Sequence, residues 1–150
     1  MALPELLEAV LAEAETWIPD AERSYIAHGR PAADCDSLVV WTESIAATQP
    51  NKNVCSIVSK WTLHVSRFKC VPTMDESGNA LPAEDYQESA LDLALDGAAI
   101  WYGVIEAWID GTLFDGAIGC TEIDLTQGLS AIEPAGGMGG WDLVIIVTLP

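Results

Sequence analysis

The chain has 150 residues, half of them hydrophobic, with 23 acidic against 6 basic side chains and a formal net charge of −17. The length fits one ordinary domain with a real core, and the apolar content excludes a disordered chain. Duplex DNA carries about one negative charge per 1.7 Å and is gripped by cationic surfaces, so an outer skin of carboxylates argues against nucleic-acid binding and against anionic membranes.

The charge is unevenly placed. All six basic residues (Arg23, Arg30, Lys52, Lys60, Arg67, Lys69) precede position 70, whereas 14 acidic residues run from Asp75 to Asp142. Residues 1–18 carry four glutamates and no basic side chain, so a secretory signal is not expected. The longest apolar stretch, Gly97–Ile105, lies between Asp96 and Glu106 and falls short of the ~20 residues a membrane span needs.

In chain order, the first element is an amphipathic helix, with Leu3, Leu6, Leu7, Val10, Leu11, Ala14, Trp17 and Ile18 at helical spacing and Pro19-Asp20 ending it. Arg23–Gly29 leads into a turn at Arg30-Pro31, and Asp36–Thr42 reads as a strand. Thr48–Asn53 is a polar loop, followed by a strand region from about Cys55 to Val71. Within that region Trp61, Leu63 and Val65 alternate with Thr62, His64 and Ser66, as one buried and one solvated face require. The phase then slips, because Phe68 and Cys70 are apolar while Arg67 and Lys69 are charged. A one-residue slip turns every side chain over unless the strand bulges, so a bulge is expected near Ser66-Arg67.

After a loop over Pro72–Leu81, Pro82 opens a long helix with Glu84 and Asp85 in its first turn, and Gly111 stops it near Asp110. Its acidic residues gather in one sector, and its apolar arc covers roughly 220°, wider than the stripe that one core contact uses. Small residues such as Gly97 and Gly103 would admit close approach of other backbone, and the helix needs two partners, a sheet and a second protein surface. Cys120–Leu125 alternates as a strand, and Trp141–Leu149 is apolar on both faces, the mark of a central strand. The glycine loop Gly136–Gly140 between them reads as a flexible connection or assembly loop, since it lacks the Lys-Ser/Thr of a phosphate loop. The order predicts a single α+β domain over 1–150, a mostly antiparallel sheet packed against an N-terminal helix and one long central helix.

The search for chemistry is negative. Cys35, Cys55, Cys70 and Cys120 show no ligand-pair spacing, and reduced thiols buried as small hydrophobes are expected, with neither a metal site nor a required disulfide. His28 reads as a turn residue and His64 as a solvated side chain on the polar side of its strand. Asp34-Cys35-Asp36 reads as a solvated turn, and no nucleophile elbow G-x-S-x-G is present. No catalytic residue, cofactor or metal ligand is assigned.

Three segments carry a resemblance: Arg23–Asp36 (RSYIAHGRPAADCD), Val65–Asp75 (VSRFKCVPTMD) and the closing GGMGGWDLVIIVTL, with the long acidic helix between the last two. In that order they resemble the neck and tail-completion proteins of long-tailed bacteriophages of actinobacteria, most of all the tail terminator. The resemblance implies a virion subunit, assembled in the host cytoplasm, that forms a hexameric ring on the tail tube. Its partners would be further copies of itself, the major tail tube protein and the head-side connector, while DNA passes through without specific binding. Two other readings are an adjacent head–tail adaptor or stopper and, from a different class, an acidic DNA-mimic inhibitor. The expected subunit interface comprises Tyr86, Leu91, Leu95, Tyr102, Ile105, Ile109 and Met138.

Overall fold

The computed structural model describes residues 3–47, 59–116 and 122–149. Helix α1 (Leu3–Trp17) is followed by strands β1 (Arg23–Ala27), β2 (Ser37–Ala47) and β3 (Ser59–Cys70), then helix α2 (Ala83–Asp110) and a 3-10 turn at Leu113–Gly116. Strands β4 (Glu122–Asp124), β5 (Leu129–Ala135) and β6 (Met138–Leu149) complete the order. The six strands form one sheet, β1-β2-β3-β6, with β4 and β5 sharing the far edge of β6. Every pairing is antiparallel except β1 with β2. This is the α+β class expected from the order of elements. The predicted loop over Thr48–Asn53, together with Cys55 and Cys120, lies outside the described residues.

Both helices cover one face of the sheet. Leu6, Val10, Ala14 and Ile18 of the α1 region and Ile100 and Val104 of α2 meet Leu38, Val40, Leu63, Val65, Leu143, Ile145 and Val147 in a continuous core. Full burial of each leucine, isoleucine or valine among them contributes on the order of 1.5–3 kcal/mol. Two tryptophans lock α2 to this layer. A Cβ placed on Gly97 would stand 2.5 Å from the Trp141 ring, and one on Gly103 would overlap the Trp17 ring. The small residues of α2 therefore seat indoles at these two points, not backbone as expected. Trp141 is further held by its Nε1–H, which donates to the Leu93 carbonyl at 2.7 Å.

The expected bulge at Ser66-Arg67 does not occur. Strand β3 pairs with β6 without interruption from Ser59↔Leu149 to Cys70↔Met138, and the register shift falls on β2, between Thr42 and Ser44. Unbroken alternation sends Arg67 and Lys69 to the helix-covered face, and both find carboxylates there. Arg67 is fully buried, donating from Nη1 to Asp36 Oδ1 at 2.5 Å and from Nε to Asp96 Oδ2 at 3.0 Å. Its Nη1 also reaches the Ser37 and Phe68 carbonyls. Lys69 pairs with Asp92 at 2.6 Å and Asp96 at 3.4 Å. The phase slip is thus the insertion of a buried cation into a core strand, with its counter-ions supplied by α2 and by the start of β2.

The connection from β1 to β2 also departs from expectation. Parallel neighbours usually need a crossover of a dozen or more residues, but here nine residues, 28–36, return the chain to the start of β2. This return loop passes over the sheet face away from the helices. It is tied by a disulfide between Cys35 and Cys70, Cα–Cα 5.1 Å, and by Asp34 to Arg23 of β1. The disulfide corrects the expectation of free thiols for this pair. A separation of 35 residues gave no local sign, and only the β2–β3 register carries the end of β3 to the loop. The glycine loop is likewise a tight β5–β6 hairpin, with positive φ at Gly136 and Gly137. Gly140 runs so close to β3 that a Cβ would overlap the Arg67 carbonyl oxygen.

Two stability outcomes follow. Arg67→Met strands two carboxylates around a buried site and should cost roughly 3–5 kcal/mol by urea denaturation, whereas neutralising Asp36 and Asp96 together with it should recover much of that; a loss below about 1 kcal/mol for Arg67→Met would contradict the buried bridge. Reduction of Cys35–Cys70, or its replacement by serines, should lower stability by about 2–4 kcal/mol, read as a shift of the urea midpoint with and without reductant.

Candidate functional site

Helix α2 presents two faces that differ in kind. It starts after Pro82, which has extended backbone, and ends at Gly111, whose φ of 71° lets its N–H reach the Ala107 and Trp108 carbonyls. Gly97, Ile100 and Val104 are buried against the sheet. On the side away from the sheet Leu91, Leu95, Tyr102 and Ile109 are 60–71 % exposed, and Trp108 on the flank is 51 % exposed. Five large apolar side chains on one helix are each more than half exposed, and four of them share one face, unlike the singly scattered apolar residues of an ordinary surface.

The structure gathers most of the expected interface residues, but not all. Leu91, Leu95, Tyr102 and Ile109 share the outward face. Ile105 lies at its border, half-buried and packed against the core. Tyr86 is partly committed elsewhere, since its hydroxyl donates to the Thr73 carbonyl at 2.6 Å and accepts from the Leu81 N–H at 3.1 Å. Met138 is on the opposite face of the sheet, where the Cys70↔Met138 pairing sets it beside the disulfide. Trp108, part of the apolar arc but not among the expected interface residues, also belongs to the exposed set.

The other sheet face holds a concavity of about 940 Å³ between the return loop and β5, lined by Arg30, Trp41, Glu43, His64, Phe68 and Ile132 among others. Val39, Trp41 and Phe68 form a small second core there. His64, expected in solvent, is 7 % exposed and stacks on Trp41 with centroids 4.0 Å apart and planes at 12°. A polar chain continues from this stack. Trp41 Nε1–H donates to Ser66 Oγ at 2.9 Å, Ser66 Oγ donates to Asp142 Oδ1 at 2.8 Å, and His64 Nδ1 meets Asp142 Oδ2 at 2.8 Å. His64 Nε2 faces Glu43 Oε1 at 3.5 Å.

A serine, a histidine and an aspartate thus lie together, but in an order unlike a nucleophilic triad. Activation needs the imidazole to accept the serine proton while the carboxylate steadies the ring. Here the serine hydroxyl donates to the aspartate, and its lone pair is taken by the indole N–H. The arrangement cross-links β2, β3 and β6. Among the described residues no group of three or more His, Cys, Asp or Glu side chains stands at metal-binding range, and no helix is long and apolar enough to cross a membrane.

The charge state of His64 is tuned by this setting. Burial alone would push its pKa down, but the hydrogen bond and charge of Asp142, with Glu43 behind, outweigh that and raise it above the ordinary 6.5. Sequence spacing could not have found the pairing, because Asp142 is 78 positions away.

A pH dependence is expected. Since the folded pKa is raised, the stabilisation from His64 is fully present below about pH 6.5, the unfolded value, and is lost as pH climbs through the folded value. The difference in melting temperature between the wild type and His64→Gln should therefore shrink as pH rises from 6 to 9, leaving the pH-independent part due to lost stacking on Trp41. A difference constant over that range would show that the imidazole is not charged in the folded protein.

Comparison with protein-family models finds no match to this chain, and comparison with curated proteins finds none either.

Proposed function

We propose that the chain is a structural subunit that works by assembly, and that it is the tail terminator of a long-tailed bacteriophage neck, forming a ring that caps the tail tube and meets the head connector. One observation carries the assembly reading: the outward face of α2 keeps Leu91, Leu95, Tyr102 and Ile109 in solvent although the same helix already has a full core contact on its other side. Exposed apolar surface of this extent marks a protein–protein contact. The finer assignment to the neck rests on the resemblance of Arg23–Asp36, Val65–Asp75 and the closing strand to that family.

The charge supports the same reading. A net charge of −17 suits a conduit through which DNA slides without sticking, since a basic lumen would hold it. The same charge makes free subunits repel, so association is favoured by salt or by the template of a tube end. Closed rings use a head-to-tail interface with rotational closure.

Localisation in assembled particles by electron microscopy, combined with deletion of the gene, tests the proposal. The expected result is a ring between tube and head, with tails of abnormal length or tails unattached to heads in the deletion. Particles that lack the protein, or normal joined tails without it, would refute the terminator role.

A further inference from the structure

The concavity on the sheet face away from the helices has the make-up of a binding site and no part in the assembly reading. Its volume of about 940 Å³ lies near the upper end of the range for ligand pockets. Trp41, Phe68, Ile132 and Met138 give it an apolar lining, with Arg30 and Pro31 of the return loop on one side and Glu133 of β5 on another. His64, also in the lining, is more than nine-tenths buried, and its Nε2 has no hydrogen-bond partner among the described residues. Glu43 Oε1 faces that nitrogen at 3.5 Å, on a side chain more than half exposed.

An unpaired polar atom inside a protein costs free energy until something satisfies it. Ionised Asp142 can only accept, so a neutral His64 keeps its proton on Nδ1 and offers the lone pair of Nε2. Together with Glu43 it then makes two adjacent acceptors with no donor between them. The charge of the lining agrees. Glu43, Glu133 and Asp142 stand against Arg30 and His64, so the lining is net negative even with His64 protonated. Asp142 is committed to Ser66 and His64, which leaves the exposed Glu43 and Glu133 to meet an incoming group. Acceptors over an apolar floor select a cation that carries N–H donors on an apolar stem.

We infer that this concavity receives an arginine side chain presented by a segment of a partner protein, its stem on the Trp41–Phe68 floor and its N–H groups shared by His64 Nε2 and Glu43. A guanidinium suits the pair because its flat fork reaches two acceptors at once and is always charged. A protein segment is favoured over a free amine because the volume exceeds what one side chain fills, and Ile132 and Met138 offer contact to its apolar neighbours. The inference goes beyond the assembly reading and does not depend on it. It has a consequence for protons, since a guanidinium N–H and a proton on Nε2 compete for one place. Burial lowers the His64 pKa, but Asp142 and Glu43 raise it above the ordinary 6.5, so at low pH the proton is present and must leave on binding. The remaining titratable groups around the cavity are Tyr25 of β1, His28 and Arg30 of the return loop and Glu133 of β5.

Isothermal titration of the full chain with the capped peptide acetyl-GLRLG-amide, at about 0.15 M salt, tests it. Replacing the peptide's arginine by citrulline, which keeps the shape and loses the charge, should weaken binding about tenfold or more. Affinity for the arginine peptide should rise roughly fivefold or more from about pH 6 to about pH 9 in the wild type and stay flat in His64→Gln. Glu43→Gln should weaken binding about tenfold with the urea midpoint near that of the wild type. Glu106→Gln, on α2 across the sheet, should bind as the wild type does. No binding at millimolar peptide, equal binding of both peptides, or an equal loss in Glu106→Gln would overturn the site, the last by showing diffuse attraction to an acidic chain. A pH dependence that persists in His64→Gln would overturn the part given to His64. Spermidine displacing the peptide at comparable concentration would make the occupant a small free amine and overturn the partner segment.

Discussion

The guanidinium of Arg67 is the point on which the packing of this protein depends. It sits at the centre of the sheet with both counter-ions on other elements, Asp36 at the end of the return loop and Asp96 on α2. Removing a guanidinium from water is costly, and the cost is offset only where geometry and hydrogen bonding are nearly complete. Two carboxylates and two backbone carbonyls supply that here. The arginine therefore fixes the rotation of α2 against β3 and fixes where β2 begins. Asp36 is held at φ 55°, a conformation uncommon outside glycine, at the step where the loop becomes strand.

With α2 rotated this way, its acidic residues separate into two roles. Asp92 and Asp96 turn toward the sheet and neutralise Lys69 and Arg67, while Leu91, Leu95, Tyr102 and Ile109 are left facing outward. The cations of β3 thus decide which side of the helix meets solvent. The sheet face away from the helices is closed by different means, a disulfide from β3 to the return loop and the Trp41–His64 stack hydrogen-bonded through Ser66 and Asp142. Stabilisation on the helix-covered side is an apolar core with the Arg67 ion pairs set into it, and on the other side it is largely polar and covalent.

Much of this was legible in the sequence. The limits of α2 follow from Pro82 and Gly111, the core of α1 from its leucine and alanine spacing, and β6 from a run apolar on both faces. The wide apolar arc of α2 correctly signalled a face left over after core packing. What was not legible depends on long-range pairing. The charge at Arg67 resembled a break in phase because its counter-ions lie 31 and 29 positions away. Cys35 and Cys70, and His64 and Asp142, meet only once β3 has its register against β2 and β6. Strand β1 has five residues and no fully buried side chain, so alternation had little to show. Strand β5 carries Pro134 and a register shift, which hides it in the same way.

Strand β6 holds β3 on one edge and both β4 and β5 on the other. It lies last among the described elements, while the strand it completes was made some seventy residues earlier. A chain emerging from the ribosome can form the β2–β3 hairpin and wind α2, but one edge of β3 stays open, with Leu63 and Val65 still lacking the Leu143 and Ile145 side of their core. Closure of the sheet is thus a late event that joins distant parts of the chain, of the kind that folds slowly and leaves apolar edges exposed meanwhile. The dense acidity of the second half has a use during that interval, since like charges keep unfinished chains apart before the final strand docks.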